Sequence, residues 1–247
     1  MNDVHNMIEK KIKEIREFCE TNSDPEIIKK ISKYFKDGYD GYGIDKNLAE
    51  KQIDEWILQW QDEMTLDRYL MLGDELIKNG RYDEKNLAIT FLKTKRKDFS
   101  KDTFSRIGKW FDYGINNWAT TDVLCWFIIS GLLIDNVISF DDLKSWTNSD
   151  SEWKRRAVPV ALVEMNKIKK DLKPDDAINI IEPLMFDDSE YVQKGIGSLL
   201  RDLWKKHPVQ IEDFLIKWKD KCGRLIVQYS TEKMEKEYRQ KFRKSKL

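Results

Sequence analysis

Residues 118–134 read WATTDVLCWFIISGLLI, and this stretch decides the fold. From Val123 onward the run is apolar with few polar interruptions, but it is too short to span a bilayer. It therefore predicts a helix buried in a protein core. At its start, Trp118 and Asp122 stand four residues apart, about one helical turn, so both side chains lean from one face.

Helical periodicity continues in both directions over nearly the whole chain. The predicted helices cover 3–20, 25–35, 46–60, 65–79, 83–97, 101–114, 118–134, 139–147, 151–168, 174–186, 188–206, 208–220 and 224–242. Ser139, Ser151 and Asp188 are predicted helix caps. Gly195 and Gly197 fall inside a helical pattern, which indicates close helix packing and not a phosphate-binding loop. No run alternates between apolar and polar residues, so no strand is predicted.

Short helices with short connections favour antiparallel pairs. Stacked pairs of about forty residues form an α-solenoid of the HEAT or armadillo type, whose concave face is the usual binding surface. Since no sequence motif repeats, an irregular globular bundle is the alternative. We expect an all-α solenoid of stacked antiparallel helix pairs in a single domain over 1–247, with a basic tail at 233–247 that is prone to fraying.

The composition and net charge limit the fold class and the kinds of partner that the protein can bind. Of the 247 residues, 40 % are hydrophobic and 36 % are charged, which suits a folded core and excludes a disordered chain. Lys plus Arg and Asp plus Glu both number 44, so the formal net charge is zero. Binding to phosphate therefore requires the charges to be sorted onto different faces.

Cysteine and histidine are too few and too scattered for a zinc site or a disulfide framework. The three cysteines are Cys19, Cys125 and Cys222, and Cys125 is predicted to be a small buried hydrophobe. The N-terminal segment is amphipathic and lacks the apolar core of a signal peptide. We expect a reduced, cytoplasmic, monomeric protein with no membrane partner.

Trp118 and Asp122 have two interpretations. In one, Trp118 belongs to a core stripe and Asp122 caps an apolar helix that begins at Val123. In the other, Thr120 or Thr121 caps the helix and leaves the carboxylate free for chemistry. Taken alone, the pair favours the structural interpretation.

Cations on later helices are candidate phosphate contacts. Arg155 and Arg156 follow Trp153, and an arginine is planar, always charged and able to grip phosphate bidentately. Such pairs are more often a solvated face. Further candidates are Lys194, Arg201 and Lys205 on the next long helix, and the basic tail from Lys233.

Five short motifs occur in order along the chain. They are Tyr34-Phe-Lys with Tyr42-Gly43-Ile44, Asn117-Trp-Ala-Thr-Thr-Asp122-Val-Leu-Cys125, Trp153-Lys-Arg-Arg156-Ala, Val192-Gln-Lys-Gly-Ile-Gly197 with Leu200-Arg-Asp202, and Tyr229-Ser-Thr-Glu-Lys-Met234. Together they resemble the AlkD-type DNA alkylation-repair glycosylases, a family of HEAT-like repeat proteins, and the resemblance covers most of the chain.

The resemblance implies an α-solenoid domain with duplex DNA in a concave, positively charged groove. The implied activity is hydrolytic release of cationic alkylpurines, such as 3-methyladenine and 7-methylguanine, in base excision repair. By resemblance, Asp122 is the catalytic carboxylate, Trp118 the aromatic beside it and Arg156 the active-site arginine. The expected DNA contacts are Arg155, Trp153, Lys194, Ser198, Arg201 and Lys233.

The implied chemistry is sound on physical grounds. An N3- or N7-alkylated purine is cationic and already a good leaving group, and breaking its glycosidic bond moves positive charge onto the sugar. A fixed carboxylate stabilises that charge, and an aromatic face attracts a cation by roughly 0.5–2 kcal/mol. No metal or organic cofactor is needed.

One position departs from the family pattern. The family often has a tryptophan directly after the glycine of the Gln-Lys motif, whereas this chain has Ser198. Trp153 can substitute for this tryptophan, because it lies three residues before Arg156 and can share the same side of the helix. We therefore expect weaker or narrower base release than is usual for the family. The alternative functions are a non-catalytic solenoid that binds DNA or one that binds a protein partner.

Overall fold

A computed structural model describes residues 2–169 and 171–245 of the chain. The described residues form helices and no β-strand, so the all-α prediction is confirmed. They divide into two compact units, of which the first ends at Ile115 and the second begins at Asn116. No described helix is long and apolar enough to cross a membrane.

The first unit contains helices close to those predicted. They are α1 (Asn2–Thr21), α2 (Pro25–Ser32), α3 (Lys46–Trp60), α4 (Leu66–Asn79), α5 (Tyr82–Lys93) and α6 (Lys101–Tyr113). Buried aromatic rings of α3 and α5 form much of the core: Trp56 stacks on Trp60 at 5.3 Å, and Trp60 lies 5.4 Å from Phe91. Asp74 of α4 accepts a hydrogen bond from Trp110 Nε1 of α6 at 2.7 Å, so a polar contact fixes α6 against α4.

The second unit carries the predicted site residues. Its helices are α7 (Trp118–Leu124), α8 (Ser130–Ile134), α9 (Phe140–Lys144), α10 (Glu152–Lys169), α11 (Pro174–Ile181), α12 (Glu190–Trp204), α13 (Pro208–Trp218) and α14 (Arg224–Ser230). A π-helical turn over Cys125–Ile129 joins α7 to α8, and short 3-10 turns follow α9 and α11. Helix α12 packs against both α10 and α14.

The two glycines of α12 allow this close packing, as predicted. An ideal Cβ on Gly195 would lie 3.1 Å from Pro159 Cγ of α10, and one on Gly197 would lie 2.5 Å from Tyr229 Cβ of α14. Since a separation below 3.0 Å is a clash, the contact between α12 and α14 requires glycine at 197.

Two local predictions are wrong. The cap of α12 is Ser189 and not Asp188, because the Ser189 hydroxyl both accepts from Tyr191 N at 3.2 Å and donates to the Glu152 carboxylate of α10. A carboxylate could not donate.

The helix predicted over 224–242 ends at Ser230. The hydroxyls of Ser230 and Thr231 donate to the carbonyls of Ile226 and Val227, which competes with continuation of the helix. The chain then returns through a 3-10 turn, Tyr238–Phe242, whose Phe242 is fully buried. Ser245 N donates to an Asp220 carboxylate oxygen at 2.6 Å, so the described end of the tail is held beside α13.

The contact at Gly197 gives a stability prediction. We expect Gly197→Ala to lower the free energy of unfolding by about 1–3 kcal/mol, because the added methyl overpacks the contact with Tyr229. Gly195→Ala is the matched control. It meets only a side-chain carbon at 3.1 Å and gains up to about 1 kcal/mol of helix propensity. Urea unfolding measures both, and equal midpoints would contradict the proposed clash.

Candidate active site

Asp122 lies inside α7, and its carboxylate takes no part in capping. The helix begins at Trp118 and its N-cap is Asn117, whose Oδ1 accepts from Thr120 N at 2.9 Å. The Thr121 hydroxyl donates to Asn117 O at 2.8 Å. The interpretation of Asp122 as a helix cap is therefore wrong, and neither threonine caps the helix in its place.

Arg156 reaches Asp122 from α10 and holds both carboxylate oxygens. Its Nε donates to Oδ1 at 2.9 Å and its Nη2 donates to Oδ2 at 2.8 Å. The Arg156 and Asp122 side chains are 10 % and 12 % exposed, so the pair is largely shielded from water. This two-pronged geometry fixes the carboxylate rotamer, while each oxygen keeps a second lone pair for another partner.

The charges around this pair act on Asp122 in opposite directions. Burial raises the pKa of Asp122 above its ordinary value, and Arg156 opposes that rise. Further along α10, the negative charge of Glu164 raises the pKa of Asp122 and the positive charge of Lys167 lowers it. Glu164 and Lys167 are themselves an ion pair with an N–O separation of 2.5 Å.

The third guanidinium nitrogen of Arg156, Nη1, connects the site to α12. This atom donates to the backbone carbonyl of Tyr191 at 2.6 Å. The Tyr191 ring lies 4.7 Å from the Trp153 ring, centroid to centroid, and Lys194 Nζ lies 5.4 Å from the Tyr191 ring centroid. One arginine therefore joins α7, α10 and α12, and its partner on α12 belongs to a residue whose ring packs on Trp153.

Trp118 and Ser198 flank this arrangement on α7 and α12. Both are half-buried, and Trp118 is the first residue of α7, one turn before Asp122. Ser198 lies seven residues after Tyr191, close to two full turns, so the two side chains share a face of α12. Tyr191, with Trp153 packed on it, therefore places aromatic surface on the face of α12 that carries Ser198, about two turns or 10 Å before it.

Arg155 is held by the protein itself. Its Nε and Nη2 donate to the two carboxylate oxygens of Asp187 at 2.6 and 3.2 Å, and its Nη1 donates to the carbonyls of Ser149 and Asp150. These bonds occupy most of the guanidinium donors. Arg155 holds the loops before α10 and α12, and a phosphate would have to displace Asp187 to bind it.

The other predicted cations also have acidic neighbours. Lys194 pairs with Glu190 at 2.7 Å and Arg201 pairs with Glu232 at 2.5 Å. The Lys233 side chain is 67 % exposed, and its Nζ lies 3.8 Å from Oε1 of the same Glu232. Binding to phosphate would exchange these carboxylates for DNA.

Three features of the site were not predicted from the sequence. Glu164 lies eight residues after Arg156 on α10, and this spacing is the signal that could have found it. The Tyr191 carbonyl is a backbone acceptor and leaves no signal in the sequence. The π-helical turn begins at Cys125, whose N–H donates to the carbonyls of both Thr121 and Asp122. Turns of this kind are frequent at functional sites.

Cys125 itself is a buried hydrophobe, as predicted. Its side chain is fully inaccessible and its Sγ donates to Ala157 O at 3.5 Å. Burial raises the pKa of the Cys125 thiol well above its ordinary value, so this group is not a nucleophile.

The ion pair gives a second stability prediction. Arg156→Gln should lower the free energy of unfolding by about 3–5 kcal/mol, because it leaves a buried carboxylate unpaired. The double variant Asp122→Asn/Arg156→Gln should lose less than the sum of the two single losses, since no uncompensated charge remains. Urea unfolding of the four proteins checks this, and additivity within about 0.5 kcal/mol would contradict direct coupling.

Solved structures of other proteins share the fold of this chain. The chain is similar in structure to a predicted DNA alkylation repair enzyme from Enterococcus faecalis, with a TM-score of 0.70, 17 % sequence identity, and coverage of 87 % of this chain and 98 % of the other. It is also similar to AlkD2 from Streptococcus mutans, with a TM-score of 0.57, 20 % identity, and coverage of 85 % and 98 %. The chain therefore shares the all-α fold of these proteins, as predicted.

Sequence comparison adds the family. No curated protein matches the chain by sequence. The model of a protein family described as DNA alkylation repair enzyme matches residues 15–234, which include all the predicted site residues. The AlkD-type resemblance found in the sequence is thereby confirmed, and the chain belongs to the DNA alkylation repair enzyme family.

Proposed function

We propose that this protein is a DNA glycosylase that releases cationic alkylated purines, such as 3-methyladenine and 7-methylguanine, from duplex DNA. The observation that carries the proposal is the Asp122 carboxylate, which is buried and held by both of its oxygens to Arg156. A shielded, fixed carboxylate is suited to a cationic transition state, and Trp118 stands one helical turn before it on α7.

The reaction is a hydrolysis. The glycosidic bond breaks, its electron pair goes to the base, and the alkylpurine leaves as a neutral molecule while positive charge forms on the sugar. Asp122 stabilises this charge from a position set before the substrate arrives, so no reorganisation is needed during the reaction. Water then adds to the anomeric carbon and loses a proton to Asp122 or to bulk water, which gives an abasic site.

Arg156 has two roles in this proposal. Its charge opposes the rise in the pKa of Asp122 that burial causes, and it holds the carboxylate in one orientation through two parallel hydrogen bonds. The positive charge of Arg156 also offsets part of the negative charge that Asp122 presents to the substrate. Base release therefore depends on the lone pairs of Asp122 that Arg156 does not use.

The aromatic rings supply a surface for the cationic base or sugar. Trp118 stands one turn before Asp122 on α7, and the ring of Tyr191, whose carbonyl accepts from Arg156, packs on the ring of Trp153. Each ring face attracts a cation by roughly 0.5–2 kcal/mol. Trp153, with Tyr191, is proposed to replace in part the indole that Ser198 lacks.

Duplex DNA is the proposed partner, contacted through its phosphates by Lys194, Arg201 and Lys233. Since each has a glutamate neighbour, binding exchanges an ion pair within the protein for one with DNA. A solenoid that binds DNA or a protein without catalysis is the competing function. The experiment on Asp122 separates the two.

The catalytic role of Asp122 is tested by Asp122→Asn. We expect DNA binding to persist and the single-turnover rate of 7-methylguanine release to fall by about 10²–10³, because an electrostatic stabiliser is lost. The variant is assayed at a temperature where circular dichroism shows it folded, since Arg156 loses its charge partner.

Asp202→Asn is the matched control. Asp202 lies on α12 and accepts from Asn166 Nδ2 at 2.9 Å, and its substitution should leave the rate near the wild-type value. If Asp122→Asn also releases 7-methylguanine at the wild-type rate, Asp122 is structural and the competing function is favoured.

The neighbouring charges predict a pH dependence. Base release requires ionised Asp122, so the rate falls on acidification through its pKa, which burial raises above the ordinary 3.8. Glu164→Gln removes a charge that raises this pKa, so the fall of the rate on the acidic side of the pH profile, its acid limb, should move to lower pH. Lys167→Gln removes a charge that lowers it and should move the limb to higher pH. Single-turnover rates against pH, corrected for spontaneous depurination, would refute the assignment if both variants shifted in the same direction.

A further inference from the structure

A basic pocket lies between α14 and the C-terminal segment of the second unit. Its volume is about 600 Å³. The charged residues that line it are Lys219, Arg224, Lys236, Arg239, Arg243 and Lys244. None of the described lining residues is acidic, although the whole chain has equal numbers of basic and acidic residues. Charge is therefore sorted locally here, which is the condition that phosphate binding imposes on a neutral protein.

The cations of this pocket differ from the paired cations around Asp122. Within residues 2–169 and 171–245, the side chains of Arg224, Lys236, Arg239, Arg243 and Lys244 make no hydrogen bond or ion pair. Lys219 donates to the carbonyl of Lys241 at 3.2 Å and so helps to shape the wall. A phosphate can bind Arg224, Lys236, Arg239 and Arg243 without displacing a carboxylate, whereas the charge of Lys244 also acts on Asp220 and lowers its pKa.

The pocket is part of the fold and not a chance gathering of surface lysines. One face of α14 is buried against α12, where Gly197 approaches Ile226 and Tyr229. Val227 of α14 and Thr231, the C-cap residue of this helix, line the pocket, and the fully buried Phe242 anchors the returning segment.

A carboxylate near these cations is also used to build the wall. Asp220 accepts from Ser245 N at 2.6 Å and from Ser245 Oγ at 3.0 Å, which holds the segment that carries Arg243 and Lys244.

We infer that this pocket, between α14 and the C-terminal segment, binds the phosphate backbone of duplex DNA. The inference rests on the proposed function for the identity of the anion. Duplex DNA carries about one negative charge per 1.7 Å of helix axis, so several of the unpaired cations can engage phosphates together. The pocket adds affinity without contacting the reacting sugar.

The test is the salt dependence of binding to a short undamaged duplex. The triple variant Lys236→Gln/Arg239→Gln/Arg243→Gln should bind on the order of tenfold more weakly at low salt. Its plot of log K against log salt should be less steep by about 2 to 3, the value for three lost phosphate contacts. Circular dichroism melts check that the variant is folded.

The matched control is Lys13→Gln/Lys46→Gln/Lys51→Gln, which removes the same charge from exposed lysines that each lie beside a glutamate. It should keep the wild-type slope. A wild-type slope in the pocket variant would overturn the inference, and so would an equal change in both variants, because only net charge would then matter.

A second readout locates the contact and identifies the anion. Undamaged duplex should protect Lys236 and Lys244, but not Lys51, from acetylation by an N-hydroxysuccinimide ester, as measured by peptide mass spectrometry. Protection by inorganic phosphate alone, at matched ionic strength and without protection by the duplex, would overturn the assignment to DNA. Both readouts use undamaged DNA and require no base release, so failure of the glycosylase proposal leaves them interpretable.

Discussion

The second unit depends on one interaction, the two-pronged ion pair between Asp122 and Arg156. Through it, and through the bond from Arg156 to the Tyr191 carbonyl, a single guanidinium joins α7, α10 and α12. Burying two charges is costly unless each is paired and hydrogen-bonded, and here both conditions are met. The same contacts that offset this cost also fix the orientation of the carboxylate, so structural and proposed catalytic roles fall on the same atoms.

Net charge is a poor guide to the partners of this protein. Most of the cations predicted to contact DNA have carboxylate partners around the candidate site, whereas the unpaired cations of the basic pocket are gathered between α14 and the C-terminal segment. We propose a division of labour, in which the site near Asp122 supplies the chemistry and the C-terminal pocket supplies electrostatic affinity. A neutral chain can bind a polyanion if its charges are divided in this way.

Much of the fold could be predicted from the sequence, because helical periodicity survives wherever one face is buried. The helix predicted at 46–60 is Lys46–Trp60, and the family motifs pointed to Asp122 and Arg156. The features that could not be predicted depend on individual hydrogen bonds, some local and some between residues far apart in the chain. The hydroxyls that end α14 at Ser230 override its periodicity. Asp187, which occupies Arg155, lies 32 residues away in the chain, and no spacing rule reveals such a pair.

The central claim is that the Asp122–Arg156 pair serves the hydrolysis of alkylpurine nucleotides in DNA. The most direct measurement is incubation of the purified protein with methylated duplex DNA, followed by identification of released bases by mass spectrometry. We expect free 7-methylguanine and 3-methyladenine above the spontaneous background, with abasic sites in equal amount. Release at the background rate from a folded protein that binds the duplex would contradict the claim.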